Sequence, residues 1–476
     1  MKKHLFLFVF AFFVSGCNSV GPDYQSPVVE TSNDWLIPST IEKHITAEEG
    51  IDLKWWEQLN DPQLTALIEK AVQYNLDIKI AELNIFEARA LRGISVASDY
   101  PNLDARANIR REGLSETAGL PAGKLAGIPT KRNFYDMGFD ASWELDIWGK
   151  KQRTIEAANA RLDSYVEKRN DILLLILSET ARNYIELRGA QKQLAIIETN
   201  LQALLKKLDI VQQRYELGDS DQREVSKAEI QLRNIQALLP SYQADIRSAI
   251  YRIALLTGEE AQTLLDILLE YKPLSNLPDI VPVGLKSDLL QRRPDIRLAE
   301  RNLAAETADI GIKTADLFPS FSLTGSAGLQ SLSFGDLFQS NSSTWALGPK
   351  IQWPIFKGGE IRNRIKVEET QAEAAGILYE KTVLNAFSDV ETGLLRYGKE
   401  LETHENLKKA LIASRQNEEL AKQSHESGED NLLAFIDAQN ERIQAEDRLA
   451  QSETKLFLSL ITLYKALGGG WDTFLE

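Results

Sequence analysis

Two periods alternate along the chain, one of 3.5 residues and one of 2. From Lys150 to Leu217 there is no proline and a single glycine, Gly189, so nothing interrupts a helix that would run roughly 100 Å. Within it Leu194, Ile197, Leu201, Leu204, Leu208, Val211 and Tyr215 step by three and four in strict alternation, the seam of a coiled coil. After Leu217, Gly218, Asp219 and Ser220 the same spacing returns in Val225, Ala228, Leu232, Ile235, Leu239, Tyr242, Ile246, Ala249, Ile253 and Leu256. This predicts a second helix packed antiparallel on the first, kinked or split at Pro240. Upstream, Asp61 and Pro62 supply a cap and a first-turn proline for a helix expected to run to about Ser98, before Tyr100 and Pro101.

The period of 2 predicts strands. Leu103, Ala105, Ala107 and Ile109 alternate with Asp104, Arg106, Asn108 and Arg110; Tyr135, Met137, Phe139, Ala141, Trp143 and Leu145 alternate with Asp136, Gly138, Asp140, Ser142 and Glu144. Between them the glycine- and proline-rich loop from Leu114 to Arg132 contains Gly119 to Lys124, which resembles a phosphate-binding loop. Its spacing is wrong and Leu125 stands where Ser or Thr is required.

After a connector from Glu259 to Gly284 the plan repeats. Leu76-Asp77-Ile78 and Tyr100-Pro101 correspond to Pro294-Asp295-Ile296 and Phe318-Pro319, displaced by 218 positions; Trp143, Gly218 and Gly258 correspond to Trp353, Gly428 and Gly468, displaced by 210. A second strand pair follows, Phe321 to Leu329 and Trp345 to Trp353, the latter carrying Pro349. A second proline-free run, Glu360 to Ser427, has Val383, Phe387, Val390, Leu394, Tyr397 and Leu401 at heptad spacing, and its return helix includes Leu456, Leu460, Leu463 and Leu467. The division expected is a signal segment 1–16, a first repeat 17–258 and a second repeat 259–476.

The strands have one apolar face, aromatic residues near their ends and a length of about ten residues, as in transmembrane β-barrels. Four strands cannot close a barrel, and an open edge cannot sit in lipid, so the barrel must be shared between chains. Two copies would give eight strands and a filled interior; three would give twelve and a passage, continued by the helical rods as a tube. Beyond the N-terminus no apolar run approaches twenty residues, which excludes a polytopic helical membrane protein. The net charge of −15 and the lack of a Lys/Arg-rich tract argue against a nucleic-acid partner.

The N-terminus reads as a secretory signal, Lys2 and Lys3 followed by the apolar segment Leu5 to Val14. It ends in Val14-Ser15-Gly16-Cys17, which resembles the bacterial lipobox and implies a diacylglyceryl group on Cys17; the Asn18 that follows implies outer-membrane sorting. Cys17 is the single cysteine, so no thiol remains for disulfides, metals or catalysis.

Gly21-Pro22-Asp23-Tyr24, Trp55-Trp56, Asp61-Pro62, Trp143-Glu144-Leu145-Asp146, Arg293-Pro294-Asp295, Phe318-Pro319-Ser320, Pro354 to Gly359 and Ala466 to Trp471 together resemble the NodT-type outer-membrane efflux lipoproteins of the TolC superfamily. The resemblance covers nearly the whole mature chain. It implies a TolC-like fold in which a homotrimer shares a twelve-stranded outer-membrane β-barrel, four strands from each protomer, above an α-barrel in the periplasm. It implies an efflux duct for small molecules such as drugs, with an inner-membrane RND transporter and a periplasmic adaptor as partners. A type I protein-secretion duct shares the fold and is the alternative.

Further residues are assigned through the resemblance. The adaptor-contact tips are Arg214, Tyr215, Leu217 and Gly218 in the first copy and Ser427 and Gly428 in the second, where Ser424 and His425 replace the family's Arg and Tyr. The periplasmic gate is Leu433 and Asp437, which share a helix face, with Lys227 as the expected partner of Asp437 because the two are 210 positions apart. No catalytic residue or cofactor is expected apart from the lipid. His44, His404 and His425 stand without carboxylate or cysteine clusters, and two methionines make no track for copper or silver. A lipid-anchored enzyme would need a polar constellation that the sequence does not offer.

Overall fold

A computed structural model describes residues 19–28, 35–39, 41–46, 53–113, 115, 131–274, 277–427 and 432–474. The signal segment, Cys17, the loop from Gly119 to Lys124 and Gly428 lie outside the described residues. In chain order the elements are β1 (Ile45–Thr46), α1 (Pro62–Tyr74), α2 (Leu76–Ala97), β2 (Asn102–Gly113), β3 (Lys131–Leu145), α3 (Lys150–Glu216), α4 (Gln222–Leu256), α5 (Ala261–Leu268), β4 (Val281–Pro282), α6 (Leu289–Arg292), α7 (Pro294–Ala315), β5 (Ser320–Ser331), β6 (Ser343–Gln352), α8 (Glu360–Glu426) and α9 (Leu432–Ala466).

The repeat is carried through to the element lengths. Helices α3 and α8 both have 67 residues and begin 210 positions apart, as do α4 and α9 with 35 each; α2 and α7 have 22 each and begin 218 apart. The structure differs from these expectations or goes beyond them at three points. The helix from Pro62 does not run on to Ser98 but breaks at Asn75, whose Oδ1 accepts from the N–H groups of Asp77 (2.9 Å) and Ile78 (3.2 Å) while its Nδ2 donates to the carbonyl of Leu256 (2.9 Å). A side chain that caps the next helix and is itself held from outside makes the break stable without Gly or Pro. Second, of the two outcomes expected at Pro240, the split does not occur: α4 continues through it. Pro240 itself is exposed, and buried Val225, Ala228 and Leu232 before it and Ile246, Ala249 and Ile253 after it hold both halves. Third, the connector contains α5, with Leu264, Leu265 and Leu268 buried; Gln191 donates to the carbonyls of Leu268 (2.7 Å) and Leu269 (3.1 Å) and closes its C-terminal end.

The chain forms two compact units. The first comprises the residues up to Pro27, Ile85–Ser164 and Ala299–Tyr379. Its sheet is antiparallel throughout in the order β2-β3-β5-β6, with Ala105 opposite Phe139, Phe139 opposite Ala327, and Ala327 opposite Trp345. One face is therefore apolar across all four strands, and it is open: Ile109 is 73 % and Trp345 79 % exposed. Strands β2 and β6 are the two edges, and among the described residues no further strand lies beside them. The repeat also governs how the strands are tied to their helices. Trp143 donates to the carbonyl of Asp99 (2.8 Å) and Trp353 to that of Leu317 (3.0 Å), in each case two residues before the proline that opens a strand.

An N-terminal strap belongs to this unit. Val20 donates its N–H to Trp148 O (3.0 Å), and Tyr24 packs on Ala160, Ala304 and Ala305 and donates to Glu300 (2.9 Å). Arg153, only 3 % exposed, pairs with Asp23 at 2.5 Å and with Glu156 at 2.7 Å.

The second unit comprises Val28–Asn84, Tyr165–Leu298 and the residues from Glu380. Its core is aromatic: Trp55 stacks on Tyr464 (centroids 5.1 Å apart) and Trp56 on Phe474 (5.8 Å). Here β1 and β4 pair in parallel, Ile45 with Val281. Gly189 of α3 lies against Thr454 of α9, where any Cβ would collide with the threonine side chain, so the two helices pack close at that level.

Candidate functional site

The first tip is a compact helix ending. Gly218 takes φ +84°, Asp219 N–H donates to Arg214 O (2.8 Å) and Gly218 N–H to Tyr215 O (3.0 Å), the paired bonds of a Schellman ending. Asp221 then caps α4 by accepting from the N–H groups of Arg223 (2.9 Å) and Glu224 (3.0 Å); the Arg223 guanidinium, followed by those backbone donors, holds its carboxyl below the ordinary value. Leu217 is 79 % exposed and Tyr215 about half exposed, an apolar pair carried on an ordered turn. At the second tip Ser427 donates both N–H and Oγ to Gln423 O (2.9 and 3.0 Å), and His425 stacks on Phe435 with ring planes 2° apart. Gly428 cannot be compared with Gly218, since it lies outside the described residues.

Leu433 and Asp437 open α9 one turn apart, as expected. The partner of Asp437 within the chain is not Lys227. Asp437 forms an ion pair with Lys207 of α3, whose ammonium also donates to Gln231 Oε1 of α4 (3.3 Å). The physical reason is the repeat itself. Residues 210 apart occupy equivalent positions in two hairpins, which is equivalence and not adjacency; Lys227 stands in the first hairpin where Asp437 stands in the second. Contacts inside the hairpins do repeat: Lys207 with Gln231 is matched by Asn417 with Glu441 (3.3 Å), both members shifted by 210.

Helices α3 and α9 form an antiparallel seam with a second ion pair, Lys192 with Glu453, farther from the tip. His404 of α8 faces that pair. Its Nδ1 is buried with no hydrogen-bond partner among the described residues, and burial pushes its pKa below 6.5, against Glu453 and Glu405 and together with Lys408 and Lys192. In the first unit Glu306, Asp309 and Glu368 bring carboxylate oxygens within 4.8 Å of one another. Asp309 is paired with Arg161 and Glu368 with Lys313 (3.8 Å), while burial, followed by the charge of Asp309, raises the pKa of Glu306. The sequence reading missed Lys207 and this cluster, in which Glu306 and Asp309 are one helical turn apart and Glu368 comes from a distant part of the chain. Among the described residues no helix is long and apolar enough to cross a membrane.

The sequence profile of the family described as outer membrane efflux protein matches residues 67–259 and 285–469. The solvent efflux pump outer membrane protein SrpC of Pseudomonas putida is 31 % identical over 478 residues, covering 98 % of this chain and 98 % of that one. Nodulation protein T of Rhizobium leguminosarum bv. trifolii is 29 % identical over 468 residues, covering 97 % and 96 %. Among solved structures, the outer-membrane channel OprN superposes with a TM-score of 0.85 at 32 % identity over 95 % of this chain and 99 % of that one.

Proposed function

The chain belongs to the outer membrane efflux protein family and is an outer-membrane channel of an efflux pump, and from that premise we propose that it works as a homotrimeric duct closed at its periplasmic tips. The observation that carries the trimer is the sheet, four strands with an exposed apolar face and two edges unpaired among the described residues. Three such sheets joined edge to edge make twelve strands, which satisfies every edge and leaves a passage. In the ring, α9 of each protomer meets its own α3 through Lys207 and Asp437. The equivalent seam, α8 against α4, then falls between protomers, with Asn417 of one opposite Lys227 of the next. That seam has no charge pair at this level and is the weaker of the two.

The adaptor engages the tips through Tyr215 and Leu217 and draws the seams apart, opening the ring of Leu433 and Asp437; an RND transporter supplies the energy. The cargo is small and apolar or amphiphilic, in keeping with the solvent efflux named for SrpC. Cys17 is lipidated. What supports this, beside the lipobox, is the strap: Val20 is bonded to Trp148, just beyond the end of β3, so an acyl chain on Cys17, three residues earlier, would enter the leaflet beside the strands. The test is a deletion strain loaded with a fluorescent amphiphile, together with the mass of the purified protein in detergent. Faster accumulation than in the parent, reversed by the gene, and a trimeric mass are expected; unchanged accumulation refutes export, and a monomeric mass refutes the shared barrel.

A further inference from the structure

The apolar face of the sheet closes differently at its two ends. The register of β2 with β3 runs unbroken from Asn102 opposite Ser142 to Gly113 opposite Lys131, so the odd-numbered residues of both strands share the face of Ile109 and Phe139. Where the strands join the long helices, that face ends in Leu103, Leu145, Phe321 and Ile351 and carries no charge. At the hairpin end it carries two cations. Arg111 stands opposite Asn133 and Lys131 opposite Gly113, which makes them diagonal neighbours with Cβ atoms about 7 Å apart. Both are exposed, and neither has an ion-pair partner among the described residues. On the other face of the same end, by contrast, Glu112 pairs with Arg110 (2.8 Å) and Arg132 (3.1 Å). Aromatic rings set the level of the two free cations. Tyr135 lies against Phe334 (centroids 5.6 Å apart) and Phe334 against Phe338 (6.2 Å), with Trp345 exposed on the same face. Such a girdle stands at the boundary between acyl chains and headgroups. From Tyr135 to Leu145 a strand at the usual tilt rises about 26 Å, the height of the apolar band of an outer-membrane barrel. Ile109 is opposite Tyr135, so Arg111 lies about 5 Å and Lys131 about 10 Å beyond that band.

We propose that Arg111 and Lys131 form a docking site for a phosphate of lipid A, the phosphorylated glycolipid of the outer leaflet. This rests on the reading of the sheet as one third of a shared outer-membrane barrel, which turns the apolar face to lipid and the hairpin end, opposite the helices, to the outer leaflet. The guanidinium offers a phosphate two parallel hydrogen bonds and the ammonium adds a point charge, while both aliphatic stems stay along the apolar face. Charge complementarity selects the occupant. A zwitterionic phospholipid brings its own ammonium and gains less from two further cations than the phosphates of lipid A, which have no cation in the same molecule. The uncharged border at the helix end fits the same assignment, since that end meets the inner leaflet. There is one such site in each chain and hence three in the trimer.

Native mass spectrometry of the full mature protein in detergent, titrated with bisphosphorylated lipid A, reads lipid binding and assembly together. Three lipid A molecules per trimer are expected, with lipid A stripped of its phosphates and phosphatidylethanolamine each bound at least about tenfold more weakly. Arg111→Gln and Lys131→Gln should each weaken lipid A about fivefold, the weight of one basic residue at an anionic surface, and the double variant at least about tenfold. Lys350→Gln makes the same charge change on the opposite face of the sheet, at an exposed position, and should leave lipid A binding unaltered. A trimeric mass and an unshifted melting temperature check that each variant folds. Parent affinity in the double variant, binding that ignores the phosphates, or an equal loss in Lys350→Gln overturns the proposal while the trimer stands. A monomeric mass of the parent removes the shared barrel and the site with it, so the two failures are told apart in one spectrum.

Discussion

Lys207 on α3 and Asp437 on α9 join the first and last long helices of the chain at the level of the tips. Lys207 is 14 % and Asp437 59 % exposed in its side chain, so the pair is partly solvated and contributes about 1 kcal/mol or less. In the proposed trimer, three links of that size would close a ring without locking it. In planar bilayers, Lys207→Ala and Asp437→Ala should each raise the conductance of the isolated trimer, and the exchange Lys207→Asp with Asp437→Lys should restore part of the closure. Leu433→Ala should raise conductance by a separate route, by letting water into the constriction. Alanine variants that all conduct like the parent place the constriction elsewhere.

The proposed seam between protomers should be strengthened by one substitution. Asn417 is the residue equivalent to Lys207, and Lys227 the one equivalent to Asp437, so Asn417→Asp offers Lys227 of the next protomer the charge pair that the second seam lacks. Conductance should fall below that of the parent and recover in Asn417→Asp with Lys227→Ala. A single variant that leaves conductance unchanged shows that α8 and α4 do not meet at this level.

What was legible follows from the range of each interaction. The 67-residue helices could be read because proline-free heptads fix them locally, and the strands because a period of 2 admits no other element. The break at Asn75 was hidden: the side chain could as well have faced solvent in a continuous helix, and its choice depends on the carbonyl of Leu256, 181 residues away. The eight residues of α5 were too few to show a period. Lys207 was missed for a different reason. Repeat arithmetic states which positions are alike, whereas an ion pair depends on which helices are neighbours, and the same count that identified Lys227 as equivalent to Asp437 also made it a poor candidate for contact.

His404 makes stability depend on pH. Its folded pKa lies below 6.5, so as pH falls the unfolded chain takes up a proton that the folded chain resists, and stability is lost below about pH 6.5 and flat above it. The melting temperature should drop between about pH 7.5 and 5.5, and His404→Leu should remove a part of the drop of order 1–2 °C. Parallel pH profiles for the two proteins mean that His404 is not the group responsible.

At the first tip a Cβ on Gly218 would meet nothing within 4 Å, so the cost of Gly218→Ala is conformational alone, about 1 kcal/mol for the left-handed backbone. The trimer should assemble normally while export falls, because the apolar pair Tyr215 and Leu217 loses its fixed presentation. Cysteines at Leu217 and Ser427 should cross-link to the adaptor in cells. Export that is normal in Gly218→Ala, with no cross-link from either cysteine, removes the tips from the adaptor interface.

The strap separates anchoring from positioning. Cys17 provides the acyl chain in our reading, but Arg153 fixes where the strap lies: its guanidinium is buried, holds Asp23 and Glu156, and reaches the carbonyl of Val20 at 3.3 Å. Removing a buried charged donor from several acceptors costs about 1–3 kcal/mol, here concentrated on a segment at the chain's edge. Arg153→Ala should therefore leave palmitate labelling intact, since the lipobox is untouched, while making residues 19–28 accessible to protease in the folded trimer. Cys17→Ala should do the reverse, abolishing the label and leaving the strap protected by Arg153, Tyr24 and the Val20 hydrogen bond. Labelling that survives Cys17→Ala refutes lipidation at that residue. A strap equally protected in Arg153→Ala means that Tyr24, seated on Ala160 and Ala304 and bonded to Glu300, is sufficient to hold it.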